Sequence, residues 1–224
     1  MDKAARIISV AGAAAALFVT VVVAMLAFTC TPLVVNAVIE WSQPTNDEVR
    51  AIRLEARQQI ADVTLRYVTT GSEVDTMVAL YRVDGDVGLD EIAHLYDVRE
   101  IFAATWTAGI IAACVVLGAF TYQWRKGWKR EQRRSLMIAG GLCIALPLVL
   151  GISAAFAFTM AFEFFHRLFF ADGTWTFPSN SLLIQTFPEP FWMYISAMWM
   201  ALVVICGIVL VVTTYVGARF SATR

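Results

Sequence analysis

The stretch "IISVAGAAAALFVTVVVAMLAF", residues 7–28, decides the fold of this chain because its 22 residues include no charged side chain. An α-helix rises about 1.5 Å per residue, so such a run is long enough to cross the roughly 30 Å hydrocarbon core of a bilayer. The run is longer than the apolar part of a cleavable secretory signal, and no small-residue cleavage site closes it. We therefore expect a retained membrane helix.

Three more uncharged runs of comparable length follow, at residues 101–120, 136–162 and 191–216. Hydrophobic residues make up 59% of the chain, whereas soluble domains are about 45–50% apolar. The sequence therefore predicts an all-α integral membrane protein, with one membrane domain over residues 1–224 and four transmembrane helices. Pro147 is expected to kink the third of these helices.

Positive charge predicts the direction in which the helices cross. The loop expected at residues 121–135 carries six Lys or Arg side chains and one acid, and short basic loops stay on the cytoplasmic side of a membrane. Both termini are then cytoplasmic, and residues 29–100 and 163–190 lie outside. Because topology accounts for the basic loop and the net charge is −1, no nucleic-acid partner is indicated.

The longer outer segment is predicted to be a helical insertion between the first and second spans. Residues 45–48 form a capping box, and apolar residues then recur at helical spacing over 52–67. That helix lies on the membrane surface or packs over the bundle. A cap signal at Ser72 predicts a second short helix, residues 82–90 predict a turn-rich break, and a last helix is expected from near Asp90 into the second span.

Both histidines of the chain are predicted at the same face of the membrane. His94 precedes the second apolar run by seven residues, and His166 follows the third by four. Each has a carboxylate three positions away, Asp97 and Glu163 respectively, on the same helix face. A carboxylate beside an imidazole fixes its tautomer and raises its basicity. Both pairs are therefore candidate acid–base groups.

Two arginines lie close to these histidines in the sequence. The same region also allows two other interpretations. Arg99 and Arg167 add positive charge that can hold a phosphate, a carboxyl group or a developing oxyanion. A structural interpretation, in which these polar groups only anchor helix ends, stays open. A metal held by the acids and histidines is a further alternative. A di-iron site would need more glutamates within the spans, where the sequence has none, so we predict no metal.

Two motifs carry a family resemblance. One is E-x-x-H-x-x-D-V within "DEIAHLYDVREIF"; the other is F-H-x-x-F-F-x-x-G-x-W-x-F, extended by L-I-x-x-F-P-x-x-F-W, within "FEFFHRLFFADGTWTFPSNSLLIQTFPEPFW". Together with the four-span plan, they resemble the bacterial lipoprotein intramolecular transacylases and their integral-membrane relatives. Many relatives have a second histidine where this chain has Arg167, and residues 30–88 show no family motif. The first motif comprises Glu91, His94, Asp97 and Val98.

The resemblance implies a membrane-bound acyltransferase that needs no cofactor. Such an enzyme moves the sn-2 acyl chain of a diacylglyceryl lipoprotein to the α-amine of its N-terminal cysteine, which leaves a lyso-form lipoprotein. The expected partners are a diacylated lipoprotein and membrane lipid. We expect a monomer in the bacterial cytoplasmic membrane, with its active site at the outer leaflet.

The family's two histidines correspond to His94 and His166, and the resemblance implies that they share the base and acid roles. Asp97 would orient His94, whereas either Glu163 or water would orient His166. Two alternatives stay open: a non-enzymatic accessory or scaffold protein, and a phospholipid acylhydrolase without a G-x-S-x-G nucleophile elbow. The predicted substrate-binding residues are Arg99, Glu163, Arg167, Phe165, Phe169, Trp175 and Gly173.

Overall fold

The computed structural model describes residues 3–29, 31–42 and 52–222, and these residues are helical without any strand. Four of the helices, α1, α5, α6 and α9, are long and apolar enough to cross a membrane. This confirms the predicted all-α membrane fold with four transmembrane helices. In chain order the helices are α1 Lys3–Thr29, α2 Pro32–Trp41, α3 Leu54–Thr70, α4 Val74–Tyr81, α5 Asp86–Arg125, α6 Lys129–Phe156, α7 Phe158–Phe169, α8 Leu182–Thr186 and α9 Glu189–Ala222.

The chain forms two compact units, of which unit 1 consists of Met1–Met25, Thr105–Ser153 and Trp199–Arg224. Small residues bring its α6 and α9 close together. A Cβ atom added at Gly207 would lie 2.8 Å from the carbonyl oxygen of Gly140. Such backbone contact is how apolar helices associate where burial from water offers no driving force.

Unit 2 consists of Leu26–Ala104 and Ala154–Met198, and it contains both histidines. Its helix α3 belongs to two buried clusters. Ile60 and Tyr67 pack with α4 and α5, and Ala61 packs with α2 and α9. The amphipathic helix predicted over 52–67 is therefore present as α3 and is packed against protein on both sides.

The helix start predicted at Ser72 needs a correction, whereas the capping box predicted at residues 45–48 lies outside the described residues. Ser72 does not cap α4, because its hydroxyl bonds that of Thr70 at 2.7 Å and the helix starts only after Glu73. Gly71 ends α3 in a left-handed conformation with φ 75°, and Glu73, with φ 64°, precedes α4 in the same conformation.

The predicted break over residues 82–90 is shorter than expected. A 3-10 turn covers Arg82–Asp84, and Gly85 follows with φ 64°. Helix α5 then begins at Asp86 rather than near Asp90 and continues to Arg125. A single helix thus carries the acidic segment, His94 and the second apolar run.

The third apolar run, predicted as one span over 136–162, is two helices. Helix α6 passes through Pro147 and ends at Phe156, and Ala157 has the non-helical angles φ −150° and ψ 51°. The next helix, α7, has 12 residues and is about 18 Å long, too short to cross a membrane. His166 therefore lies on a short separate helix and not at the end of a long span.

Candidate active site

The two histidine rings meet in unit 2. Helix α5 supplies His94, α7 supplies His166, and the ring centroids are 6.2 Å apart with the planes inclined by 28°. This stacked arrangement joins two segments that are about seventy positions apart in the chain. Two imidazoles at this separation can both contact one small polar group of a substrate.

Aromatic rings surround the imidazole pair. Phe170 contacts both, at centroid distances of 4.7 Å from His94 and 5.5 Å from His166. Within the described part of the chain, no group of three or more His, Cys, Asp or Glu side chains can hold a metal ion. The other rings within 5.6 Å are Phe162, Phe165 and Trp175 beside His166, and Phe177 beside His94.

A backbone carbonyl fixes the tautomer of His166. Its Nδ1 lies 2.8 Å from the carbonyl oxygen of Phe162, one helical turn earlier. A carbonyl oxygen only accepts, so Nδ1 carries the hydrogen and Nε2 presents a lone pair. Burial lowers the pKa of His166 below its usual value, and the bond to Phe162 opposes this only in part. His166 is therefore neutral near pH 7, with Nε2 able to accept a proton.

His94 is held by packing rather than by an acid. Its side chain is 7% exposed, and its buried Nδ1 has no hydrogen-bond partner among the residues that the structure describes. Asp97 is exposed. The predicted Asp97–His94 pair is not formed, because His94 turns into the aromatic cluster while the Asp97 carboxylate faces solvent.

The charged residues predicted beside the histidines make contacts elsewhere. Glu163 pairs with Arg167 at 3.7 Å on an exposed helix face, so the carbonyl of Phe162, and not Glu163, orients His166. Arg99 donates to the Tyr67 carbonyl oxygen at 3.3 Å, and its guanidinium carbon lies 5.9 Å from the centroid of the Tyr67 ring. These contacts direct its charge towards α3.

The remaining predicted substrate-binding residues divide into two groups. Trp175 belongs to the aromatic cluster, whereas Phe165 is 51% exposed and meets the His166 ring edge-on at 5.6 Å. Phe169 packs on Phe165 at 4.9 Å. Gly173 has φ 87° and nothing within 4 Å of an added Cβ, so it serves a turn that favours glycine.

Glu91 belongs to the first sequence motif but had no predicted role. The structure shows that it supports the site. Its side chain is fully buried, and Oε1 accepts from the backbone N–H of Leu183 at 2.7 Å. Asp84 accepts from the next N–H, that of Leu182, at 3.0 Å. The two carboxylates satisfy free N–H groups at the start of α8. They fasten α8, which follows the loop that carries Trp175, to α5 and to the 3-10 turn before it.

Arg57 has a similar supporting role, which the spacing of apolar residues over 52–67 does not predict because arginine is charged. The side chain is 1% exposed and donates to the carbonyl oxygens of Ile39 at 3.3 Å and Thr186 at 3.1 Å. Burial lowers the pKa of this guanidinium. The acceptors lie at the C-terminal ends of α2 and α8, where helix dipoles favour a cation. Glu91 and Arg57 thus hold α8 at opposite ends.

A family profile described as lipoprotein intramolecular transacylase Lit matches residues 10–192. The chain belongs to this family. Membership confirms the resemblance seen in the two motifs and identifies a membrane protein of a transacylase family, whose name implies a lipoprotein substrate. The match includes both histidine-bearing segments.

Solved structures of the membrane-integral lipoprotein intramolecular transacylase Lit from Bacillus cereus share the fold. One matches with a TM-score of 0.82 at 16% identity and covers 100% of both chains. Another, of that protein with a histidine-to-alanine mutation, matches with a TM-score of 0.76 at 16% identity and covers 98% of this chain and 96% of its own. No curated protein sequence matches the chain.

Proposed function

We propose that this protein moves the sn-2 acyl chain of a diacylglyceryl lipoprotein to the α-amine of its N-terminal cysteine. The observation that carries the proposal is the pair of imidazoles, 6.2 Å apart, inside an aromatic cluster. An O-to-N transfer within one molecule needs a base for the amine and a proton for the glycerol oxygen. It needs neither an activated acyl donor nor an outside nucleophile.

The tautomer of His166 supports its role as the base in this proposal. Its Nε2 accepts a proton from the amine as the nitrogen attacks the ester carbonyl carbon. A C–N bond forms, the C–O bond to glycerol breaks, and the pair returns the proton to the glycerol oxygen. Each turnover thus moves one proton from nitrogen to oxygen within the substrate, and both imidazoles regain their starting state. His94 stacks beside His166 and shares the proton while the acyl group is transferred.

Helix α7, which carries His166, supports a location of the proposed active site in the outer leaflet. Met160, Phe164 and Leu168 lie along one side of α7 and are 65–73% exposed, and the exposed Glu163–Arg167 ion pair lies directly beside them. A short helix that exposes apolar side chains next to a charged pair fits the membrane interface, with the apolar side chains among acyl chains. With the basic loop cytoplasmic, this interface is the outer one.

Tandem mass spectrometry of an N-terminal lipopeptide tests the proposal in cells whose lipoproteins are diacylated. Expression of this protein should leave the intact mass unchanged, because the acyl chain stays within the molecule, while the fragments show an acylated amine. Fragments of an unchanged diacylglyceryl form with a free amine would remove the transacylase proposal. A mass lower by one acyl chain would instead indicate a hydrolase.

A further inference from the structure

We propose that the indole N–H of Trp175 donates the hydrogen bond that stabilises the substrate's carbonyl oxygen as it becomes an oxyanion. This inference rests on the proposed transacylation and assigns a catalytic residue to it. Attack by an amine places negative charge on the ester carbonyl oxygen, and a fixed donor at that point lowers the barrier. A base alone does not stabilise this charge.

Trp175 lies directly beside the proposed base. Its ring centroid is 4.9 Å from that of His166, and the planes are inclined by 31°. The Nε1 atom is buried and has no hydrogen-bond acceptor within the described ranges. A buried donor without a partner destabilises the folded protein, and an acceptor on a bound substrate would relieve that cost.

Two other half-buried indoles, those of Trp192 and Trp199, show the contrast. Trp192 donates from Nε1 to the carbonyl oxygen of Phe187 at 3.0 Å, and Trp199 donates to that of Val21 at 3.2 Å. Each of these indole N–H groups stabilises the fold through its hydrogen bond to a backbone carbonyl oxygen. Trp175, which contacts a histidine of the pair, keeps its N–H unused.

The cations expected to meet the oxyanion are engaged elsewhere. Arg167 pairs with Glu163, and Arg99 is bound to Tyr67. The other side chains in ring contact with the imidazole pair are phenylalanines, which have no donor. An indole N–H donates without exchanging its proton and stays neutral, so it suits a dry aromatic site in which a charged donor would be costly to bury.

Two replacements of Trp175 separate the hydrogen bond from the ring packing. Trp175→Phe keeps an aromatic ring without a donor, and a benzothienylalanine at position 175 keeps the indole shape with sulfur in place of N–H. Both should lower kcat by about 10²–10³-fold, the usual effect of losing one oxyanion donor, while KM and the pH profile stay near wild type. Trp192→Phe, which removes a structural indole N–H, is the control and should change kcat by less than the variants at position 175.

The outcomes distinguish this inference from the proposed function. Wild-type protein that leaves the amine unacylated in purified lipid vesicles containing a diacylated lipopeptide counts against the transacylase itself. If the wild type is active and the benzothienylalanine variant keeps its kcat, the oxyanion role of Trp175 is wrong. The same conclusion follows if that variant raises KM alone, since the indole would then serve only ground-state packing. This variant preserves shape, so it remains informative even if Trp175→Phe fails to fold.

Discussion

His94 is carried by a 40-residue helix and His166 by a helix of 12 residues, and the two segments fix their imidazoles by different means. His94 is 7% exposed and is held by ring contacts. His166 is half-buried and is held by a hydrogen bond to the Phe162 carbonyl. This difference shows that the two groups of the proposed catalytic pair need not have matching supports. It also shows which neighbours of each histidine should matter.

Loss of the ring that contacts both histidines should have the largest effect on activity. Phe170→Ala removes the ring that touches both imidazoles, and we expect kcat/KM to fall by about 10²-fold, because a misplacement of about 1 Å costs this much. Rates of lipopeptide conversion in vesicles measure the effect. Phe164→Ala, at a 70% exposed position on α7, is the matched control and should stay within a few fold. Equal losses in both variants would contradict the shared role of Phe170.

Replacement of the two acids near His94, Glu91 and Asp97, should have very different effects on stability and activity. Glu91→Ala leaves the Leu183 N–H without its acceptor, so we expect about 1–3 kcal/mol of destabilisation and a roughly tenfold loss of activity through the loosened segment. Asp97→Ala should change stability by less than about 0.5 kcal/mol, as surface substitutions do. Denaturation in detergent measures both. A larger loss in Asp97→Ala than in Glu91→Ala would reverse the assignment of the supporting acid.

The different support of His166 should be visible in its titration. Burial lowers the pKa of His166, so the neutral base persists below the ordinary imidazole value of about 6.5. The imidazole of His166 should therefore be more than half neutral at pH 6.5. An NMR titration of the histidine rings between about pH 5 and 8 measures this directly, whereas a pH–rate profile also contains the titration of the substrate's α-amine, whose pKa is about 7.7–8.0. A half-point at or above 6.5 would show that the site does not depress this pKa.

The smallest effect is expected on the exposed face of α7. Glu163→Gln breaks the ion pair with Arg167, in which the two side chains are 48% and 64% exposed respectively, and such pairs contribute little stability. We expect activity within about twofold of wild type and an unmoved pH profile. A shift of the acidic limb in this variant would mean that Glu163 acts on His166 after all.

Periodicity and charge predicted the four apolar helices, α3 and the nearness of the histidines, because these depend on patterns that repeat along the chain. The supports of the site escaped prediction because they depend on tertiary contacts. Pro147 signals a break but lies inside α6, whereas the chain breaks at Ala157, which carries no such signal. Spacing favoured Asp97 as the partner of His94. Glu91 lies three positions before His94 and is followed by buried Ile92. It was the better candidate for a supporting acid, since an acid on an apolar face must have a partner.

The central claim is that the two imidazoles act as one unit on one ester, and a double-mutant cycle tests it most directly. Conversion of a diacylated lipopeptide would be measured for His94→Ala, His166→Ala and the double variant. Because residues that act as a unit are strongly non-additive, the account predicts that each single variant loses nearly all activity and that the double variant is hardly worse. A single variant with wild-type turnover, or losses that simply multiply, would contradict it.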